Sequence, residues 1–283
     1  MKIIISGSMG FVGSHMMDAL KARGHQVLGL DKKVGSDITD VDYISKTIEH
    51  LMPEADMILH CAATCSTARG ITDAREAFMD NTLGTFSLLD YAQKHNIHKF
   101  IHISTCKIVP GDDGKVTPYG GTKYAAEVMV ETFRDTYNID AIINRPGTIY
   151  GPGQEGSAES GWVSWFLGAS RNNLPLKIFG DGKQVRDILY IDDLVELLVD
   201  QIENFELYKN KAYSVGGGEE NAISLLDLLN YLDYHQYVFT KPRLGDNARF
   251  VSPNHITHVN NWKPKTSWKE GISKTLAYWE SLK

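Results

Sequence analysis

Cysteine is scarce in this chain of 283 residues: Cys61, Cys65 and Cys106 are the whole supply. The number is odd and the spacing fits no metal-ligand pattern, which argues against a disulfide framework or a metal site. Apolar runs of membrane-spanning length are missing, so no spanning helix is expected. Positive charge is not in excess either. With 29 Lys and Arg against 35 Asp and Glu, the net charge is −6. That disfavours nucleic acid or an anionic membrane surface as a partner, while leaving room for a local basic pocket. The first residues read as a strand and lack a signal-peptide layout, so a cytoplasmic location is the simplest expectation. No internal repeat or low-complexity tract is evident. What remains is an ordinary globular composition, long enough for one large domain or two modest ones.

The N-terminus carries a strand, a glycine turn and a helix. Lys2–Ser6 is an apolar run; Gly7, Gly10 and Gly13 follow at the spacing G-x-x-G-x-x-G, and an amphipathic pattern runs to about Arg23. Gly7 permits the turn, Gly10 lets a pyrophosphate approach, and Gly13 lets the helix pack on the strand. The helix N-terminus supplies amides and partial positive charge. The next strand, 26–30, ends in Asp31, an acid placed to bind adenosine ribose hydroxyls. Dinucleotide binding is the expectation.

A second stretch organises the middle of the chain. Phe100–Ile103 suits a buried strand and leads into Ser104-Thr105; Tyr119 and Lys123 then open a long helical pattern. Four residues apart, they share a helix face. A neighbouring ammonium favours the phenolate, and a Tyr with a lowered pKa serves as general base and then general acid. Thr105 puts a hydroxyl within reach of the same substrate atom. Tyr-x-x-x-Lys is weak alone, and its place after this strand and downstream of the glycine motif gives it weight.

Strand and helix signals alternate along the rest of the first half: helix near 41–51, strand 57–61, helix 74–95, strand 99–104, helix 119–137 and strand 140–144. Such alternation implies βαβ units and a doubly wound parallel sheet. After Arg145-Pro146 the pattern changes. Residues 154–186 read as an excursion outside the sheet, and helical patterns return near 192, 224–235 and 268–280.

Taken in order, these residues resemble the extended short-chain dehydrogenases/reductases of the nucleotide-sugar epimerase/dehydratase family. The pieces are the three glycines, Asp31, Asp37-Ile38, His60-Cys-Ala-Ala63, Asn81-x-x-Gly84-Thr85, Ser104-Thr105, Tyr119-x-x-x-Lys123, Arg145-Pro146, Tyr150-Gly-Pro, Phe179-Gly-Asp-Gly and Arg186-Asp187. The resemblance implies an α/β Rossmann domain over 1–148, with the chain returning to it around 187–215. Residues 149–186 and 216–283 would form a smaller substrate-binding lobe. NAD would be the cofactor, held by Gly7, Gly10, Phe11, Val12, Gly13, Asp31, Asp37, Ile38, Ala62, Ala63, Asn81, Tyr119 and Lys123. Catalysis would fall to Thr105, Tyr119 and Lys123, with Lys107 as a further candidate. A nucleotide-diphosphate sugar would be held by Thr105, Thr148, Arg186 and Arg243, the arginines gripping its phosphates. No metal is implied. A homodimer is expected through the helices near 74–95 and 119–137, whose Phe86, Leu89, Val128 and Phe133 give them apolar residues on more than one side.

The chain departs from the family pattern in several places. Only Lys32–Ser36 separates Asp31 from Asp37, so the third strand and its preceding helix are expected to be stunted. Ile108-Val109-Pro110 stands where Val-Tyr-Gly is frequent, Thr148 where Asn is frequent, and the C-terminal tail is short. Dehydratases of this kind carry an Asp after the threonine, followed by Glu or Lys; here Cys106 and Lys107 stand there. The expected activity is therefore an NAD-dependent epimerase that works through a transient keto-sugar. A 4,6-dehydratase, an NAD(P)H-dependent keto-sugar reductase and a non-catalytic dinucleotide-binding regulator are the alternatives.

Overall fold

Three consecutive isoleucines, Ile3, Ile4 and Ile5, have no exposed surface. Alternate residues of a strand point to opposite faces, so a strand buried throughout must be covered on both sides. That is the organisation of the first half of the chain, as the computed structural model, which describes residues 1–282, shows. β1 (Lys2–Ser6), α1 (Phe11–Ala22), β2 (Gln26–Leu30), α2 (Val41–Leu51) and β3 (Met57–His60) come first. Two short helices, α3 (Thr67–Thr72) and α4 (Ala74–Phe78), precede α5 (Gly84–Lys94), and β4 (Lys99–Ile103), α6 (Pro118–Tyr137) and β5 (Asp140–Pro146) follow. The sheet order is β2-β1-β3-β4-β5, with the strand Lys211–Val215 beside β5. Pairings from β2 through β5 are parallel. The expected parallel α/β sheet is thus present.

Ile4, Ile58 and Phe100 lie in one core with Ile44 and Ile48 of α2, Leu88 and Leu89 of α5, and Val130 of α6. Burying each such side chain stabilises the fold by roughly 1.5–3 kcal/mol. Proline suits its place at the first position of α6, where its missing N–H has no intrahelical partner to lose. The helix expected over 74–95 is interrupted by a π turn, Met79–Leu83, between α4 and α5. π turns of this kind recur at functional sites, and this one contains Asn81. The third strand and helix expected to be stunted after Asp31 are replaced by one 3-10 turn, Lys32–Val34. The five residues available cannot span more.

Contacts divide the chain into two units. The first comprises Met1–Ile108, Pro118–Arg145 and Val195–Tyr213; the second comprises Val109–Thr117, Pro146–Leu194 and the residues from Ser214 on. In the second unit β6 (Thr148–Tyr150) pairs in parallel with β8 (Val185–Tyr190), which also pairs with Ala222–Ser224 and Arg249–Phe250. The excursion forms α7 (Trp162–Asn172) and β7 (Leu176–Phe179), and β7 pairs with Tyr237–Thr240 in a separate two-stranded sheet. Among the described residues, no helix is long and apolar enough to cross a membrane, and no group of three or more His, Cys, Asp or Glu gathers as a metal would need.

Candidate active site

The turn after β1 is built to be approached closely. Gly7 lies at φ +71°, and a methyl group there would come within 2.6 Å of the Ala62 nitrogen; one on Gly13 would lie 2.0 Å from the Gly7 carbonyl oxygen. No side chain fits at either position. Gly10 caps α1 without a side-chain hydrogen bond, and no acid occupies the first turn, which begins with Phe11 and Val12. The leading amides of α1 are therefore available to an anion. Asp31, at the end of β2, accepts from the backbone N–H groups of Met9 and Lys33, each at 2.9 Å. This pins its carboxylate beside the glycine turn, where ribose hydroxyls could also donate to it. Ala62 and Ala63 follow β3, and Ala62 donates its N–H to Ser6 Oγ at 3.3 Å. A cradle without side chains, an open helix end and a fixed acid are what a dinucleotide requires, so these residues fit NAD.

The remaining cofactor candidates are placed differently. Asp37 accepts from the Thr39 N–H and hydroxyl at 2.9 and 2.8 Å. Ile38 is buried in the core, where a methyl group on Gly84 would strike its Cδ1 at 2.8 Å. The side chain of Asn81 is fully buried. Its oxygen accepts from the Thr64 N–H at 2.8 Å, and its NH₂ donates to the Thr64 carbonyl and to Thr122 Oγ1. Both donors are engaged, so the side chain holds Thr64, just after Ala62 and Ala63, in place.

Thr105, Tyr119 and Lys123 come together as the spacing implies, and all three are buried. The Thr105 side chain faces the Tyr119 phenol and favours its ionised form. α3 packs so tightly here that a methyl group on Gly70 would lie 3.0 Å from the Tyr119 nitrogen. Lys123 donates from Nζ to the Ile103 carbonyl at 2.7 Å, at the end of β4. The electrostatics differ from the sequence expectation. Burial pushes the Tyr119 phenol well above its ordinary range, and the neighbouring thiols of Cys65 and Cys106 add to this. Burial also pulls Lys123 down to about 8, against the raising influence of Cys65, Glu127 and Cys61. Loss of water is the largest cause in both groups, because burial disfavours the charged form of each. Lys107 lies on the 3-10 turn Cys106–Ile108, and its N–H donates to Thr105 Oγ1 at 3.2 Å.

The motif reading missed Glu127. It lies one turn beyond Lys123, so 119, 123 and 127 line one face of α6. Glu127 is almost completely buried and takes hydrogen bonds from Arg145 at 2.6–3.1 Å and from the Ser104 hydroxyl. The four-residue spacing was there to read. It also gave no role to His60 and His102, neighbours on β3 and β4 whose rings are tilted at 37° to each other. His60 bonds Ser6 Oγ at 2.6 Å and Thr85 Oγ1 at 2.9 Å. Thr85 donates its own proton to the Asn81 carbonyl, so Nε2 of His60 is the donor and Nδ1 accepts from Ser6. The His102 ring lies 5.2 Å from that of His60, and neither of its nitrogens has a hydrogen-bond partner.

In the second unit Arg186 is already engaged. It pairs with Asp246 and donates to the Asn247 and Val185 carbonyls. That arrangement anchors the 246–247 segment. Arg243 lies over the Phe179 ring at 4.1 Å and donates to the Ala158 carbonyl. Thr148 opens β6.

A parallel sheet with a glycine cradle at one strand end and a buried Thr-Tyr-Lys group at another defines a dinucleotide-dependent enzyme that moves hydride to and from a hydroxyl-bearing carbon. The chain belongs to the NAD dependent epimerase/dehydratase family, whose model matches residues 3–216. It is 29% identical to UDP-glucose 4-epimerase of Mycolicibacterium smegmatis over 99% of both chains. Its fold is similar to that of UDP-glucose 4-epimerase from Thermotoga maritima, solved with UDP-glucose: the TM-score is 0.89, with 26% identity over 100% of this chain and 99% of that one. UDP-glucuronic acid 4-epimerase from Bacillus cereus, solved with UDP-glucuronic acid and NAD, gives a TM-score of 0.85 and 26% identity, with both chains fully covered.

Proposed function

We propose that this protein is an NAD-dependent epimerase of a nucleotide-diphosphate sugar, and that Thr105, Tyr119 and Lys123 carry the reaction. The observation that bears most weight is the joint burial of Thr105, Tyr119 and Lys123, with Lys123 one turn along the helix from Tyr119 and its ammonium fixed on the Ile103 carbonyl at the end of β4. Tyr119 takes the proton of the sugar hydroxyl, and Thr105 holds that oxygen. NAD, held by the glycine turn and Asp31, would supply a reversible hydride acceptor, and the positive charge of its oxidised ring would favour the phenolate. Lys123 acts in the same sense while protonated. Once the keto-sugar has turned to present its other face, Tyr119 gives the proton back to the sugar oxygen. No net oxidation occurs, so NAD need not leave.

Loss of water would need an acid at the leaving hydroxyl, and a carboxylic acid does this best. The residues after Thr105 are Cys106 and Lys107, and a thiol is a weak donor. This favours epimerisation over dehydration. UDP-glucose and UDP-glucuronic acid are the first substrates to screen, by chromatography for isomers and mass spectrometry for water loss. A product of unchanged mass supports the reading.

A homodimer is part of this proposal. Phe86 on α5 and Tyr124, Val128 and Tyr137 on α6 are exposed, whereas Leu89 and Phe133, also expected on that surface, are buried. A second copy would cover these aromatics.

A further inference from the structure

Lys32 directly follows Asp31, so its ammonium is tethered beside the carboxylate that the reading above assigns to the adenosine ribose. A cation at that point would welcome a 2′-phosphate and weaken discrimination against NADP. The structure takes the ammonium away. Lys32 Nζ lies 2.5 Å from Asp80 Oδ1 and 3.4 Å from Asp37 Oδ2. Asp80 does not swing with the lysine: it sits in the π turn, only 16% of its side chain is exposed, and its other oxygen accepts from Thr64 Oγ1 at 2.7 Å. The neighbouring Asn81 side chain grips the same threonine through its backbone. The short connection between Asp31 and Asp37, where a 3-10 turn replaces longer structure, brings Lys32 within reach of both acids.

We propose that Asp80, by holding Lys32, is a specificity-determining residue that keeps the ammonium from a 2′-phosphate and so favours NAD over NADP. Two carboxylates, Asp37 and Asp80, then hold one committed cation, Asp31 stays fixed by the N–H groups of Met9 and Lys33, and a 2′-phosphate meets net negative charge. This is selection by an element that disfavours the wrong ligand. The charges agree with the geometry. Burial pulls the Lys32 ammonium down, but its bonds and charges to Asp80 and Asp37 more than offset this and raise it. Lys33 supplies a backbone N–H to Asp31 and is the control for a second cation.

The inference rests on the reading that this site binds NAD, and calorimetric titration separates the two. NAD and NADP are titrated into the wild type, Asp80→Asn, Lys32→Ala and the double variant. Asp80→Asn keeps an oxygen for the Thr64 hydroxyl, and NAD binding within about twofold of wild type shows that the fold is intact. Releasing one cation about 4 Å from a phosphate should tighten NADP relative to NAD by roughly five- to tenfold. In the Lys32→Ala background, Asp80→Asn should leave the ratio unmoved. An unmoved ratio in Asp80→Asn alone overturns the inference, as does an equal shift in the double variant, which would assign the effect to Lys33 or another group. A wild type that binds no NAD overturns the cofactor reading itself.

Discussion

Removing Glu127 tests whether the buried ion pair under the catalytic helix holds the site together. Its carboxylate is 1% exposed, while the Arg145 side chain opposite it is 28% exposed. Glu127→Ala leaves the Arg145 guanidinium without its bidentate partner and the Ser104 hydroxyl without its acceptor. Breaking a buried pair from one side costs about 3–5 kcal/mol; the partial exposure of Arg145 argues for the lower end. At roughly 2–4 °C per kcal/mol for a domain of this size, the melting temperature should fall by about 6 °C or more. Glu127→Gln keeps one acceptor oxygen for these donors and should lose less. A second readout concerns Lys123, which sits at about 8 with Glu127 among the groups that raise it. Without that charge its pKa falls, the ammonium is lost at lower pH, and the alkaline limb of the kcat profile moves down in both variants. Scanning calorimetry and a pH–rate profile provide the assay. A melting temperature within 1 °C of wild type, or an unmoved alkaline limb, would refute the reasoning.

Burial, helped by the charge of Lys123, holds His60 and His102 well below the ordinary histidine range. The unfolded chain takes up these protons near pH ~6.5 and the folded protein does not. Stability is therefore full above that pH and falls as pH drops below it, by up to about 1.4 kcal/mol per pH unit for each histidine. His102→Leu removes two buried nitrogens that have no partner. It should raise the stability measured by urea unfolding at pH 5.5 and remove one proton from the pH slope; an unchanged slope would sink the argument. Cys106→Ala should keep most of the activity. If the native product is instead lighter by one water, and Cys106→Asp accelerates its formation, the dehydratase reading takes over. Light scattering at micromolar concentration should give a dimer mass, and Tyr124→Glu should lower it to that of a monomer; a monomeric wild type counts against the dimer.

The parallel sheet and the Thr105–Tyr119–Lys123 group were legible because their signals are local. Apolar strand runs, glycine spacing and a four-residue helical interval need no knowledge of distant contacts. The state of the site was less legible. Tyr-x-x-x-Lys suggested a lowered phenol pKa, but burial reverses the direction, and burial is a property of the packed protein. The protein partners of Asn81 and Arg186 were not legible either. Their hydrogen bonds to Thr64 and Asp246 come from segments 17 and 60 residues away in sequence, and nothing local announces such partners. Glu127 lies between these cases: its place on the Tyr119–Lys123 face was visible, but Arg145 as its partner was not. That the connection after Asp31 is too short for full elements followed from counting residues, whereas its consequence for Lys32 needed Asp80, 48 residues on.

The central claim is that Tyr119 moves the proton in a reaction that leaves the substrate's mass unchanged. Wild type and Tyr119→Phe are incubated with NAD and a nucleotide sugar identified by the screen, and the products are followed by chromatography coupled to mass spectrometry. The wild type should interconvert two isomers of equal mass. The Phe variant should bind NAD nearly as well by calorimetry while turnover falls by about 10²–10⁴-fold, the range for loss of a general acid–base group. Full turnover by the Phe variant, with NAD bound, would contradict the account.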